Sequence, residues 1–573
     1  MKTLKQFAAL LFALLLAFAT HAQVKPKPKT TKPGKAAVNY TVNWGPDLKL
    51  KGDAPNKILL YDKGSFYAVT DNSGFYSMAV NAFAFGGSSE YITKIDNKLN
   101  MVVQNKIETK ESDKSVSRHR LANVFEFNNN IYLLTREKFS SEKKVRYYIE
   151  KMNLSTLVSD GVKKLIYEVD YSVDKRRDDV YLSKLQHADS DVLVFFDDHE
   201  VKKDENINIT AFSVDKNLDV TWKKDVTFPL VGSRNADFDK YINPNGDLFL
   251  ISKVYKDDPS KKRHKDVVDG ELNFDYHIYV VGKSIPTFVD YPFELKDKVV
   301  GKINLDVNSK GEMIAVGFYS DIKKKNKAGV SKGVFYTVID PTNGSIKAQS
   351  FKEFENDVFT AGLSDKKAAK LEDKMDEGKK EGSLDTYQIN DLIPRKDGGS
   401  TLVAQQHYWY TVTVGKRTVT HYVYGNIITC KISAAGDIEW TTVITKNTNV
   451  TGSTLTCSYM MFDEGTDTYD FFFNDHKDNL LSSQQSSKGT KMLTDARKPM
   501  RFMRMVLNAD GTLSKREIAL KMSEDDEKTR LSPMVSTQVN DNEIILYGMD
   551  RGKDKFAKIT FKNLAKDSSK EEK

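Results

Sequence analysis

Cysteine is almost absent. Two residues, Cys430 and Cys457, in a chain of 573 rule out a scaffold held by many disulfides, and a chain this long can bury its own core without one. Both lie in apolar strand-like runs, where a thiol packs as a small hydrophobe, so two buried thiols are expected rather than a bridge. No C-x-x-C, no H-E-x-x-H and no Gly-rich phosphate loop occurs, and the nine histidines are scattered, which removes the common redox, zinc and nucleotide sites. Gly329-Val330-Ser331-Lys332-Gly333 fits the nucleophile-elbow pattern. That chemistry needs a strand–turn–helix context, and here the motif sits in a Lys-rich hairpin loop. No catalytic and no metal-ligating residue is assigned.

Beyond the N-terminus there is no long hydrophobic run, so no later segment is expected to cross a membrane as a helix. The N-terminus itself reads as an export signal. Lys2 and Lys5 flank an unbroken apolar run from Phe7 to Phe18, and Thr20 and Ala22 give a small-residue cleavage site before Gln23. The run is too short to span a bilayer, which takes about 20 apolar residues, and no cysteine follows it to carry a lipid anchor. Residues 1–22 are read as signal peptide and 23–37 as an extended linker rich in Lys, Pro and Thr. The net charge of +8 sits largely in Lys2, Lys5, Lys25, Lys27, Lys29, Lys32 and Lys35. The rest is nearly neutral and offers no clustered basic face for nucleic acid.

One pattern returns eight times: a strand, a tight polar turn, then a strongly apolar strand. The apolar strands are Phe66–Thr70, Ile131–Thr135, Val192–Phe196, Leu248–Ser252, Met313–Phe318, Thr401–Gln405, Tyr469–Phe473 and Glu543–Tyr547. The turns before them, such as Asn128-Asn129-Asn130 and Asn243-Pro244-Asn245-Gly246, use Asn and Gly, which tolerate positive φ. A third strand follows after a more variable loop, as at Tyr147–Asn153 or Asn426–Ser433, and a fourth after another tight turn, as at Val220–Phe228 or Ile438–Lys446. Four antiparallel strands per unit, repeated along one chain, imply an all-β fold, a β-propeller of four-stranded blades. Eight blades are counted, or seven if one unit is misread. The eighth unit shows no fourth strand, whereas an extra strand, Tyr40–Leu50, precedes the first; its Trp44 matches Trp222 and Trp440 on fourth strands. The N-terminal strand is therefore expected to complete the last blade and close the ring over residues 38–564. One helical insertion, 364–379, has Ser364 as its cap and Ala368, Leu371 and Met375 on one face. Residues 565–573 read as a polar tail.

The long connections join strands two and three, or one unit to the next, and in antiparallel blades these share one face of the ring. They include Lys253–Asp275, Tyr319–Gly333 and His476–Pro499. Long loops on a rigid scaffold are where binding usually resides. Two units echo each other there: Phe195-Phe196-Asp197-Asp198-His199 and Phe472-Phe473-Asn474-Asp475-His476. Asp197, Asp198, His199, Asn474, Asp475 and His476 are the candidate binding residues. Their oxygens suit a hard cation such as Ca²⁺. The plainer reading, which we adopt, is a shared strand-ending turn with Asp and Asn bonding local backbone. No cofactor is assigned.

The block Leu392 to Tyr408, with Tyr424-Gly425-Asn426-Ile427-Ile428, Gly436-Asp437-Ile438-Glu439-Trp440 and the Phe472–His476 segment, resembles uncharacterised exported proteins of Bacteroidota, as does the Ala22-Gln23 junction. The resemblance implies an envelope or extracellular setting and no activity. No C-terminal sorting domain is recognised, which favours the periplasm over the cell surface or exterior. The expected function is a non-enzymatic module that binds an envelope protein or glycan, or serves as scaffold, through the long-loop face. The rival is a carbohydrate-active enzyme with its site at the mouth of the propeller channel.

Overall fold

In a computed structural model, residues 40–562 are described except 53, 63, 71–89, 173–176, 178–179, 188–189, 200–204, 232–238, 257–263, 296–297, 302, 324–326, 329, 416, 481–487, 495–499, 521–528 and 551. The segments read as signal peptide, linker and tail lie outside the described residues, as does Gly329 of the elbow-like pattern. The chain divides into Met1–Thr41 and Val42–Lys573. Of the first only Tyr40 and Thr41 are described, and the second holds the architecture below.

Eight four-stranded antiparallel sheets succeed one another along the chain and stand in a ring, a β-propeller. The eight apolar second strands are all present, at Ser65–Thr70, Asn130–Phe139, Leu193–Asp198, Leu248–Tyr255, Met313–Lys323, Ser400–Val414, Tyr469–His476 and Glu543–Asp550. They read as continuous apolar runs because both faces of a blade are covered by neighbours. Blade three shows this residue by residue: Leu193 and Phe195 pack with blade two, Val194 and Phe196 with blade four. Tight turns follow the expected chemistry. Asn128 and Asn129 hold φ of 46° and 55°, the positive values that a two-residue hairpin turn demands.

First strands of successive blades touch one another, as in blades eight, one and two and again in four, five and six, so they crowd the axis. Fourth strands lie at the rim and carry exposed Val102, Val158, Val162, Leu165, Ile346 and Ile518. The last blade pairs its strands in the order Arg530–Asn540, Glu543–Asp550, Lys553–Phe561 and then Tyr40–Trp44. Just past that strand Gly45 N–H donates to the Phe556 carbonyl at 2.9 Å and Leu48 bridges Asp554. Leu48 and Leu50 then join Phe66 and Ala68 of blade one and Ile545, Tyr547 and Phe556 of blade eight in one apolar cluster.

The helical insertion between blades five and six holds two helices, α1 (Asn356–Thr360) and α2 (Asp365–Asp376). Sequence periodicity gives only the second. Ser364 stands at the N-cap of α2 but its side chain makes no capping bond, and no residue of α2 is fully buried. Blade six departs from the expected strand lengths. Its second and third strands, Ser400–Val414 and Arg417–Ile432, run 15 and 16 residues and stay paired up to the turn at Gly415. The segment read as a loop between Gln405 and Asn426 is thus a hairpin arm. Cys430 and Cys457 are buried thiols not joined in a disulfide. No helix among the described residues is long and apolar enough to cross a membrane.

Candidate functional site

The two Asp/His segments sit in blades three and seven and make separate networks. In blade three, Asp197 is fully buried. It accepts hydrogen bonds from Tyr167 Oη at 2.5 Å and Arg177 Nη2 at 3.0 Å. His199 Nε2 lies 3.4 Å from its carboxylate and 3.0 Å from Thr210 Oγ1. Burial opposes the charge on Asp197, but the bonds from His199 and Tyr167 and the nearby cations outweigh it and hold the carboxyl below its ordinary range. Asp197 Oδ1 has no hydrogen-bond partner among the described residues. A pocket of about 300 Å³ adjoins this cluster, lined in part by Tyr167, Arg177, His199 and Asp225. Asp198 pairs with Ile209 in the ladder; its side chain lies outside the described residues.

In blade seven the same letters do structural work. Asn474 is buried, and its Nδ2 donates to the carbonyls of Thr456 at 2.9 Å and Leu531 at 2.8 Å, tying a connection to blade eight. Asp475 Oδ1 accepts from His476 N–H at 2.8 Å and Asn479 Nδ2 at 2.7 Å. His476 caps the short helix Lys477–Asn479, its Nδ1 accepting from Asp478 N–H at 3.2 Å. Neither carboxylate stands at an open rim, as the sequence echo suggested; both are sealed between blades. The echo is also out of phase. Phe195 packs on the preceding blade, so Asp197 faces backwards. Phe471 and Phe473 are the residues of blade seven that face backwards, so Asp475 is the counterpart of Asp197 and Asn474 faces blade eight. A one-residue slip in a strand exchanges the faces.

A cavity of about 970 Å³ lies elsewhere, between blades one and two. All four strands of blade two send polar side chains to the face that meets blade one, and four of them are ionisable groups that meet there. These are His119 (Arg118–Phe127), Glu137 (Asn130–Phe139), Glu150 (Lys144–Asn153) and Lys163 (Val158–Asp170). Ile131, Leu133 and Met152, on the same face, pack with Tyr67, Val69 and Ile92 of blade one. The apolar part of the interface thus gives way to a polar one.

There Glu137 takes a bond from Lys163 Nζ at 2.5 Å, Ser112 N–H at 2.9 Å, His119 Nδ1 at 3.2 Å and the Ser112 hydroxyl. Glu150 accepts from Ser159 Oγ at 2.7 Å and Thr135 Oγ1 at 3.3 Å, with Lys163 Nζ 3.6 Å away. Burial again opposes the charge of Glu137, and its bonds from Lys163 and Ser112 overcome it, holding the carboxyl below its ordinary value. Burial, then the Lys163 charge, pushes His119 down. The rim adds Lys106, Lys110, Arg120, Glu108 and Asp160. Nothing local in the sequence marks this cleft, because its residues come from four different strands and the connection at Ser112.

Among the described residues no three His, Cys, Asp or Glu side chains come together as metal ligands.

No protein-family model matches the chain, and no curated protein does. Among solved structures it is similar to a protein of unknown function from Bacteroides caccae, with 8% identity over 62% of this chain and 90% of that one, at a TM-score of 0.25. The β-propeller domain of the Trilobed protease from Pyrococcus furiosus matches with 12% identity over 67% and 93%, at 0.27. A mutant of Synechocystis apocarotenoid oxygenase matches with 9% identity over 84% and 89%, at 0.30. Likenesses this distant carry no argument about chemistry.

Proposed function

We propose that this chain is an exported, non-enzymatic binding propeller of the cell envelope, and that the cleft between blades one and two receives a glycan. Export rests on the N-terminal pattern of Lys2, Lys5, Phe7–Phe18 and Ala22-Gln23. The observation that carries the binding reading is the state of the cleft's buried charges. Glu137 is kept ionised and clamped by Lys163, Ser112 and His119. A carboxyl in that state accepts hydrogen bonds but has no proton to lend to a leaving group. Glu150 is likewise engaged by Thr135 and Ser159. The surrounding wall mixes donors and acceptors, which suits a hydroxyl-rich ligand that does both.

A second reading has one observation behind it. Glu464, at the end of the innermost strand Met460–Asp463 of blade seven, is pushed up to about 7 by burial and by its hydrogen bond and charge contact with Asp470. A carboxyl poised near neutrality is the profile of a general acid. The test is to offer the mature chain a panel of polysaccharides and to follow both retention and new reducing ends. Retention without cleavage supports the binding module. Cleavage that disappears in Glu464→Gln would give the site to the enzyme.

A further inference from the structure

We propose that the hairpin arm of blade six pairs edge to edge with the same arm of a second copy of this chain. This goes beyond ligand binding in the cleft and does not depend on it. The arm is a two-stranded ribbon in which Tyr408 faces Val423, Tyr410 faces His421, Thr411 faces Thr420 and Val412 faces Val419, closing at Val414 and Arg417. One side of its base is covered. Thr448–Val450 pairs with Tyr422–Tyr424, Asn449 bonds both Tyr410 and His421, and His407 stacks on Tyr424 at 4.3 Å. The other side is not. The first strand of blade six pairs only with Ser400 to Gln406, so from Tyr408 to Val414 the edge on the first-strand side has no strand beside it among the described residues.

Natural sheets guard such an edge with Lys, Pro, a bulge or a cover. Among the described residues this one shows no Lys, Pro or cover from Tyr408 to Val414, and the register shift of the strand lies at its base, between Gln405 and His407: Tyr408-Trp409-Tyr410-Thr411-Val412-Thr413-Val414 is uncharged throughout. Trp409 is 65% exposed, and Tyr408, Tyr410, Val412 and Val419 each stand between 37% and 39%. An apolar, aromatic surface of this kind marks an interaction site.

The edge is complementary to itself. The two-residue turn at Gly415 makes Val414 and Arg417 a hydrogen-bonded pair. Alternation then points the backbone N–H and C=O of Trp409, Thr411 and Thr413 outward, to the open edge. A twofold axis at Thr411 sets Thr411 opposite Thr411 of the second copy and Trp409 opposite Thr413 of the second copy. It also brings Tyr410 opposite Val412, and no like charges meet. An isologous contact of this form closes on itself as a dimer rather than growing into a fibre.

The test uses the mature chain in sedimentation and light scattering across concentration, with variants at the axis. Thr411→Pro removes an outward N–H and leaves the arm's internal pairing intact. Thr411→Cys places a thiol beside its own copy, while Thr420→Cys on the inner strand is the control. The expected result is a concentration-dependent doubling of mass and a disulfide-linked dimer from Thr411→Cys but not from Thr420→Cys. Thr411→Pro should be monomeric, with the melting curve that the parent shows at a dilution where it too is monomeric. A chain that stays monomeric with no Thr411→Cys crosslink would overturn the proposal, as would a dimer that survives Thr411→Pro. Crosslinking of Thr411→Cys to a different protein in native envelopes, with the purified chain monomeric, would overturn self-pairing in favour of a foreign strand.

Discussion

Arg516 Nη1 lies 3.2 Å from the carboxylate of Asp475, and both side chains are almost wholly closed to water. Burial pushes the Asp475 carboxyl up and the Arg516 guanidinium down from their ordinary values, so each ion is tolerated because the other is there. Arg516 also reaches the Thr445 carbonyl and the Asn479 carbonyl, joining blades six and seven. Arg516→Met leaves Asp475 buried without its cation, and a broken buried pair costs about 3–5 kcal/mol. Urea unfolding should show a loss of that size, with much of it recovered in Arg516→Met combined with Asp475→Asn.

Glu464 gives a pH signature. Its folded-state pKa is pushed from 4.5 up to about 7. Between those values the folded chain holds a proton that the unfolded chain releases. Stability from this group is therefore full at the acid end and falls as the pH rises through 7. Glu137 acts in the opposite sense: its lowered pKa contributes stability above its unfolded value that is lost as the pH falls through the folded one. Unfolding midpoints measured from pH 4 to 8 should lose the Glu464 contribution between about 4.5 and 7 in the parent, and that decline should be absent in Glu464→Gln.

The thiols should be silent. Burial pushes Cys430 up to about 12, and both cysteines are enclosed, whereas reactivity needs an accessible thiolate. A disulfide-exchange dye should label neither in the native chain and both after denaturation, and reductant should leave the melting curve unmoved.

Gly511 carries a tight inter-blade fit. Its φ is +82°, and a Cβ there would come within 2.6 Å of the Trp440 ring of blade six. Trp440 Nε1 donates to the Ala509 carbonyl at 3.1 Å and Thr442 to the Gly511 carbonyl at 2.5 Å. Gly511→Ala should cost roughly 1–3 kcal/mol, the usual range for overpacking, and should shift tryptophan emission, which an exposed turn substitution such as Gly270→Ala would leave unchanged.

The fold was legible because a propeller blade writes itself locally. A turn with Asn or Gly, an apolar run and a second turn recur within one unit, and Leu193-Val194-Phe195-Phe196 needs no distant partner to be recognised as a strand buried on both faces. Closure was legible from the extra strand at Tyr40–Trp44. The site was not. Residues 195–199 and 472–476 align by letter, but sheet faces alternate, and one position of slip sends Asn474 forward and Asp197 back. The cleft draws His119, Glu137, Glu150 and Lys163 from four strands, and only the register brings them together. The arm of blade six was hidden by its length: Tyr408–Val414 alternates as a strand does, but it runs past the edge of its own blade.

The most direct test of the account is calorimetric titration of the mature chain with a glycan retained in the panel, alongside Glu150→Gln, Ser159→Ala and Trp409→Ala, with reducing ends measured on the same samples. The account predicts about tenfold weaker binding for the two cleft variants, the loss of about 1.4 kcal/mol expected for one good hydrogen bond. It predicts parent affinity for Trp409→Ala and no product in any sample. Unchanged binding in both cleft variants, or product that accumulates with the parent, would contradict it.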